Sequence, residues 1–203
     1  IGDNLTYTLV SSPGYGNVTI TNNQILFTPF DNLSSVSSFS DNFTFQVSDG
    51  NLTDNATITL TVQGSNDRPV AYDNSSAGTV VEDSPDNITL SATDIDIGDN
   101  LTYTLVSQPS YGNVSISNNQ ILFTPFDNLS SGSSFSDNFT FEVKDSANAT
   151  DTAVVTLTVV GSNDSPVAIA GSGSSITEDS PGNITLSATD IDIGDNLTYT
   201  LVS

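Results

Sequence analysis

The sequence contains no cysteine, histidine, methionine or tryptophan, and its only basic residues are Arg68 and Lys144. Histidine and cysteine carry much of the acid–base, nucleophilic and transition-metal chemistry of enzymes, so few residues remain for such mechanisms. Twenty-four acidic residues give a net charge of −22 at pH 7, which repels nucleic acids and anionic membranes. We therefore expect no nucleic-acid partner, and metal cations or salt as the counterions.

Long apolar runs are also absent, and none approaches the ~20 residues that a membrane-spanning helix needs. We expect no membrane insertion in this segment. Ile, Leu, Val, Phe and Tyr instead alternate with Thr and Ser, which is typical of strands with one buried face. Leu101, Tyr103 and Leu105, for example, fall on one face of a predicted strand. The absence of cysteine leaves the redox compartment open.

A long internal repeat organises the chain. Residues 1–48 align without a gap on residues 97–144, and 41 of the 48 positions are identical. The first eleven residues occur a third time at 193–203, which sets the period at 96 residues. A unit of this length is too long for a solenoid coil and matches a single β-sandwich domain.

Seven alternating runs in the uninterrupted repeat predict seven short strands. They lie at 77–82, 88–94, 101–107, 114–117, 121–126, 139–145 and 153–160. The segments between them are rich in Pro, Gly, Asn and Ser, which favour turns. The predicted fold class is all-β, with tandem seven-stranded Greek-key β-sandwiches.

A Gly-Ser-Asn-Asp-X-Pro-Val-Ala motif at 64–71 and 161–168 marks the expected domain junctions. Residues 67–163 are predicted to form one complete repeat. Residues 1–66 are predicted to be the C-terminal part of a preceding repeat, and residues 164–203 the N-terminal part of the next. Because Ile1 begins within a motif, we expect a segment cut from a longer chain. The alternative is that residues 164–203 donate strands to a neighbouring molecule in a self-assembling fibre.

Carboxylates gather near these junctions. Asp94 and Asp96 are two residues apart at the end of a predicted strand, so both side chains point the same way and can share one hard cation. The same stretch recurs at 188–196. The alternative explanation is that these acids solvate turns and keep the repeats from aggregating.

Residues 92–100 resemble the Ala-X-Asp-X-Asp-X-Gly-X-Asn motif of cadherin repeats, and residues 39–50 resemble the cadherin-like tandem repeats of large microbial extracellular surface adhesins. The resemblance covers nearly the whole chain and implies a cadherin/Ig-like sandwich with Ca²⁺ between successive domains. By position, it implies that the ligands at the junction near 66 are Asn66, Asp67, Asp94, Asp96, Asn100 and Asp145. At the junction near 163 it implies Glu82, Asn163, Asp164, Asp190, Asp192 and Asn196.

The chain departs from animal cadherins in two ways. It has no Asp-Arg-Glu motif, and its linkers contain Asn-Asp-Arg or Asn-Asp-Ser where animal cadherins carry Asn-Asp-Asn. The resemblance therefore implies fewer ions per junction.

Sixteen of the 21 asparagines stand in Asn-X-Ser/Thr sequons. The predicted N-glycosylation sites are Asn17, Asn32, Asn42, Asn51, Asn55, Asn74, Asn87, Asn113, Asn128, Asn138, Asn148 and Asn183. Asn100, Asn163 and Asn196 are also sequons, but a calcium-ligating asparagine does not readily carry a sugar. The alternative is that these residues simply form an uncharged, soluble surface.

Together these features predict a structural or adhesive extracellular filament or stalk segment at the cell surface, in which calcium-stiffened, N-glycosylated repeats act as a spacer. Its expected partners are neighbouring repeats of the same chain or fibre and covalent N-glycans. The alternatives are a calcium-dependent, lectin-like carbohydrate-binding module and a strand-donating fibre subunit. We expect no enzymatic activity, since a short junction offers no cleft for a glycosidase carboxylate pair.

Overall fold

The computed structural model describes residues 4–34, 37–171 and 175–202. These residues form sixteen strands, and no helix among them is long and apolar enough to cross a membrane. The all-β prediction is confirmed.

Strand bounds follow the sequence repeat. The first five strands are β1 (Thr6–Ser11), β2 (Gly16–Thr21), β3 (Gln24–Pro29), β4 (Ser38–Ser48) and β5 (Thr53–Gln63). The next nine are β6 (Val70–Tyr72), β7 (Thr79–Val81), β8 (Asp86–Thr89), β9 (Ser91–Thr93), β10 (Thr102–Ser107), β11 (Gly112–Ser117), β12 (Gln120–Pro125), β13 (Ser134–Lys144) and β14 (Thr150–Val160). The last two are β15 (Val167–Ile169) and β16 (Ser187–Thr189).

The chain divides into two compact units. The first comprises Ile1–Val70, Ala92–Thr102 and Val143–Asp151, and the second comprises Ala71–Ser91, Tyr103–Glu142 and Thr152–Ser203. In the first unit, β1, β4 and β5 form an antiparallel sheet and β2 pairs with β3. The rings of Phe27 and Phe43 stack across these two layers with centroids 6.5 Å apart, and Phe43 is buried.

The second unit contains most of a four-stranded sheet in the order β10-β13-β14-β7 and a three-stranded sheet in the order β11-β12-β8. Strand β7 pairs in parallel with the end of β14, while β8 pairs antiparallel with β12. Alternate residues of the two sheets form a closed core because every second side chain points inward. Its fully buried members include Ile121, Phe123, Phe139, Phe141, Val155 and Val159.

Two strand predictions need correction. The run 88–94 was expected to be one strand, but β8 and β9 are separate strands in different sheets. The break falls at Leu90, whose side chain is buried and whose backbone N–H donates to the carbonyl of Asn119 at 2.8 Å. The short strand β6 was not predicted, since three residues are too few to show alternation. The other predicted runs correspond to strands β7 and β10 to β14, and β13 and β14 are longer than expected.

A buried aspartate holds the turn before β2. The carboxylate of Asp41 accepts backbone N–H bonds from Gly14, Tyr15 and Asn42 at 2.8–2.9 Å. Burial would raise the pKa of Asp41, but these three amides stabilise the ionised form and hold the pKa below its ordinary value. Asp137 makes the same three bonds one period later.

Candidate metal centres

The first candidate centre, in the first unit, is built on the loop after β9. Asp94, Asp96 and Asp99 each direct one carboxylate oxygen to within 4.8 Å of the others. The loop is held by the Asp96 N–H, which donates to Asp94 Oδ1 at 2.9 Å. Gly98 has a φ of 89°, a conformation that glycine adopts without steric penalty, and this turn brings Asp99 back toward the other two carboxylates.

The junction motif supplies further oxygens to this centre. The backbone N–H of Asp67 donates to Asp96 Oδ2 at 3.0 Å, which fixes the Asp96 carboxylate. The side-chain amide of Asn66 donates to Asp145 Oδ2 at 2.9 Å. Asp145 is also held through Oδ1 by two backbone amides of the loop that follows β13. The carboxylates are therefore oriented by backbone amides and by the side-chain amide of Asn66.

Several oxygens of the centre are buried without a hydrogen-bond donor among the described residues. They are Asn66 Oδ1, Asp94 Oδ2, Asp96 Oδ1 and Asp99 Oδ2. A buried carboxylate oxygen without a partner is unfavourable unless a cation neutralises it. Carboxylate and amide oxygens are the ligands that Ca²⁺ prefers in proteins. The residues present therefore fit a hard divalent cation.

The second candidate centre repeats this geometry one period later, within the second unit. Oxygens of Asp190, Asp192 and Asp195 lie within 4.8 Å of one another. The Asp164 N–H donates to Asp192 Oδ2 at 2.9 Å, as Asp67 does to Asp96. Asp164 Oδ2 and Asp192 Oδ1 are buried without a donor among the described residues, so this centre also fits a hard cation.

Glu82 adds a carboxylate from the preceding part of the chain to the second centre. Its side chain is 1 % exposed and lies within 4.8 Å of the ligand oxygens of Asp164 and Asp192. Oε1 accepts the N–H of Leu129 at 2.9 Å, and Oε2 accepts the N–H of Ser162 at 2.7 Å. These bonds fix the carboxylate beside the junction.

Asp83 and Asp127 form a neighbouring group with Asp164. A hydrogen bond between the two carboxyl groups, burial and the charge of Asp164 raise the pKa of Asp83. Burial, followed by the charges of Asp127 and Asp192, raises the pKa of Asp164. Like charges held this closely favour a bound cation or a proton.

The structure brings together most, but not all, of the residues that the sequence predicted as ligands. Asn66, Asp67, Asp94, Asp96 and Asp145 gather in the first centre, and Glu82, Asp164, Asp190 and Asp192 gather in the second. The side chains of Asn100, Asn163 and Asn196 are exposed. The backbone N–H of Asn100 donates to Ser146, and the side-chain amide of Asn163 donates to the Asp164 carbonyl.

Four acidic residues of the centres were not among the predicted ligands: Asp83, Asp99, Asp127 and Asp195. The glycine that precedes each of Asp99 and Asp195 could have indicated these ligands. A glycine with positive φ reverses the chain direction, so the next side chain points back toward the other carboxylates. No local sequence pattern indicated Asp127, because it lies near the junction only through the position of the end of β12.

Most of the predicted sugar sites are accessible. Ten of the twelve asparagines are exposed, while Asn32 and Asn74 are half-buried. Asn74 also accepts the N–H of Ser76 through its side-chain oxygen at 3.3 Å. Exposure permits glycan attachment at these ten asparagines. That glycans occupy them stays a prediction.

The chain is similar to several solved structures. Human CDH23 EC21-23 is 23% identical over 95% of this chain and 70% of that chain, with a TM-score of 0.55. Drosophila N-cadherin EC1-4 is 17% identical over 94% of this chain, with a TM-score of 0.47. An endo-fucoidan hydrolase of glycoside hydrolase family 107 is 24% identical over 79% of this chain, with a TM-score of 0.36. The chain spans 51% of that N-cadherin chain and 24% of that hydrolase chain.

The CDH23 match shows the fold, and it confirms the cadherin/Ig-like β-sandwich prediction. No curated protein sequence matches the chain. A family described as bacterial Ig domain matches residues 1–61 and 66–158. This match covers well over half of the chain, and the protein therefore belongs to the bacterial Ig domain family.

Proposed function

We propose that the chain is a structural or adhesive extracellular spacer whose repeat junctions are stiffened by Ca²⁺. One observation carries the proposal: the same set of carboxylates, with buried oxygens that lack a donor among the described residues, recurs beside both junction motifs. The cadherin/Ig-like fold and the extracellular proteins that share it support a location at the cell surface.

The second centre suggests how a cation would act on the chain. Glu82 and Asp127 precede the junction motif, Asp164 lies within it, and Asp190 and Asp192 follow it. Bound Ca²⁺ would neutralise Glu82, Asp164 and Asp192, whose ligand oxygens lie within 4.8 Å of one another. The backbone bonds of Glu82 and Asp192 already orient the oxygens, so less entropy is lost when the linker becomes fixed. The proposal includes the predicted domain boundaries, which lie between residues 66 and 67 and between residues 163 and 164.

Calorimetric titration tests cation binding. Wild-type protein is expected to bind Ca²⁺ with dissociation constants of about 10⁻⁴ to 10⁻³ M, as extracellular calcium modules do. The substitutions Asp96→Asn and Asp192→Asn should each remove the heat of one centre. Asp54→Asn changes the net charge equally at an exposed position in β5 and should leave the titration unchanged. Equal titrations for all four proteins would refute the assignment.

Small-angle scattering tests stiffening. Removing Ca²⁺ with a chelator should broaden the distribution of interatomic distances, while circular dichroism keeps its β signature. If the distribution does not change on chelation, the acidic residues only solvate the surface and do not stiffen the junctions.

We also propose that sugars cover part of the surface. The exposed sequons support this, because a glycan at a strand end or turn projects into solvent. Intact mass of the protein from its natural source, before and after enzymatic glycan removal, measures occupancy. An unchanged mass would remove this part of the proposal.

A further inference from the structure

Several of the predicted sugar sites enclose a residue of the core. In a strand, the asparagine and the Ser/Thr of a sequon point to one face, and the residue between them points to the other. Phe43, the middle residue of the Asn42 sequon, is 1 % exposed, and its counterpart Phe139 is 0 % exposed. We call a sequon with a buried middle residue a buried-centre sequon. The buried-centre sequons among the predicted sites begin at Asn32, Asn42, Asn87, Asn128 and Asn138.

Strand pairing also holds these segments in place. Asn42 lies in β4, which pairs with β1 on one edge and with β5 on the other. The hydroxyl of Thr44, the third residue of this sequon, is hydrogen-bonded at 3.0 Å to a threonine hydroxyl of β5. In the second unit, Thr89 completes the Asn87 sequon and accepts a side-chain N–H of Gln120 at 2.9 Å. The hydroxyls of both sequons are therefore engaged within their sheets.

The sequon at Asn51 is built differently. It begins in the loop between β4 and β5, and its middle residue, Leu52, is 75 % exposed. The side chain of Asn51 is exposed as well. Asp49 Oδ1 accepts the backbone N–H groups of both residues at 2.7–2.8 Å, so this loop is a turn on the surface. An enzyme can reach this turn without disturbing the core.

We propose that an asparagine glycosyltransferase modifies the buried-centre sequons only while the chain is unfolded, and that it modifies Asn51 after folding as well. This order rests on the sugar-covered surface of the proposed function. In the transfer step, the side-chain amide nitrogen forms a bond to C1 of the sugar of a lipid-linked glycosyl diphosphate. The bond from C1 to the phosphate oxygen breaks, the diphosphate leaves with the electron pair, and the amide nitrogen releases one proton to a base of the enzyme.

Access to the three residues of the sequon is the physical reason for this order. The transferase recognises the asparagine together with the Ser/Thr two residues later. In β4 this segment becomes available only when the strand leaves the sheet and Phe43 leaves the core. Core strands open with free energies that approach that of global unfolding, whereas surface loops open at almost no cost. The transfer rate at a buried-centre sequon therefore follows the small population of the open form.

The completed fold can accommodate sugars that are attached early. The side chains of Asn42, Asn87 and Asn138 are exposed, so a glycan on each of them projects into solvent. Phe43 and Ile88 still pack on the opposite faces of their strands. Transfer before folding is thus compatible with the sandwich, whereas transfer after folding requires part of it to open.

Transfer rates measured at each asparagine test this order. The unglycosylated full chain and its Val62→Asp/Phe123→Asp variant are incubated with a purified oligosaccharyltransferase and a lipid-linked sugar donor. The variant places a charge in the core of each unit, outside every sequon, and should lack the β signature in circular dichroism. Mass mapping of peptides should show that folding lowers the rate at Asn42 at least about a hundredfold, and that at Asn51 less than about tenfold.

A matched pair of variants tests the dependence on opening. Phe123→Ala destabilises the second unit and should raise the rate at Asn138 in the folded protein at least about tenfold. Leu122→Ala changes the neighbouring residue of the same strand, whose side chain is 41 % exposed, and should leave that rate nearly unchanged. Equal effects of the two variants would contradict transfer through an open form.

The outcomes separate this order from the sugar-covered surface itself. Equal rates at Asn42 in the folded and unfolded chains would overturn the order and leave the surface sugars in place. A chain that accepts no sugar in either state would remove the sugar part of the proposed function, and the order with it.

Discussion

Residues 1–48 and residues 97–144 have nearly the same sequence, yet their strands are buried to different extents. Ile121 and Phe123 in β12 are fully buried, while Ile25 and Phe27, their identical counterparts in β3, are only half-buried. Phe141 and Phe45 differ in the same way. The local sequence cannot account for this difference, because the residues around each pair are nearly identical.

The difference comes from strands that lie elsewhere in the chain. Strands β7 and β8 cover the outer edges of β14 and β12, and with them Val80, Ile88 and Leu90 enter the core. No described strand takes those positions beside β3 and β5. Alternation along a strand thus decides which side chains face inward, whereas the neighbouring strands decide how completely they leave water.

The largest expected effect is the difference between two identical phenylalanines. Phe123→Ala should lower the free energy of unfolding by about 3–5 kcal/mol, the usual range for a fully buried ring. Phe27→Ala should lower it by less than half of that, since the ring is already partly in water. Calorimetric unfolding of the two variants measures the difference. Equal losses would mean that Phe27 is buried in solution to the same extent as Phe123.

A second pair sharpens the same comparison. Ile88→Ala is expected to cost about 2–5 kcal/mol, because Ile88 is 4 % exposed. Ile184 has nearly the same sequence neighbours as Ile88, but its side chain is exposed. In dilute solution, Ile184→Ala should therefore change the free energy of unfolding by less than about 0.5 kcal/mol. Denaturant unfolding at low protein concentration is the measurement. A large effect of Ile184→Ala under those conditions would show that residues 175–186 are packed within a single chain.

Substitution of Asp41 or Asp137, the buried aspartates that hold the turns before β2 and β11, is expected to have the same effect on stability in the two units. Asp41→Asn and Asp137→Asn each leave a backbone N–H of a tight turn poorly satisfied, at a cost of about 1–3 kcal/mol. Both carboxylates bond to neighbours within their own unit, so the cost does not depend on β7 or β8. Clearly unequal losses in urea titrations would show that the lower burial around β3 also loosens the turn at Asp41.

The acid response follows from the lowered pKa of Asp41. A carboxylate whose folded pKa lies below its unfolded value stabilises the fold above the unfolded pKa, about 3.9. That contribution is lost as pH falls through the folded pKa. Asp41→Asn should therefore show a shallower loss of stability between about pH 4 and pH 2 than the parent protein. Parallel stability curves over this range would contradict the role given to the three amides.

The smallest expected effect is that of the cation. Tenfold excess of Ca²⁺ over its dissociation constant adds roughly 1.4 kcal/mol per site. Both centres share the same loop geometry, but the second has additional carboxylates from Glu82, Asp83 and Asp127. Asp192→Asn should therefore remove more of the calcium-dependent thermal shift than Asp96→Asn. The reverse order would mean that the additional carboxylates weaken binding by repulsion.

Much of the architecture was predictable from periodicities. Six of the seven predicted runs in the complete repeat correspond to single strands, and the Asp-X-Asp spacing identified the paired carboxylates of both centres. The break at Leu90 was not predictable, because the apolar alternation continues while the backbone changes sheets. Asp127 was also not predicted as a ligand. It is far from Asp164 in the sequence, and only the fold of strands β12 to β14 brings the two carboxylates together.

The sequence by itself determined the repeat, the inward face of each strand, the excess of negative charge and the paired aspartates of each junction. Tertiary structure alone decided which copy of an identical strand is fully buried, which acids share a centre and which apolar residues stay exposed. The physical reason is range: side-chain direction and turn conformation depend on neighbours along the chain, whereas burial and the gathering of charges depend on strands paired across long sequence separations.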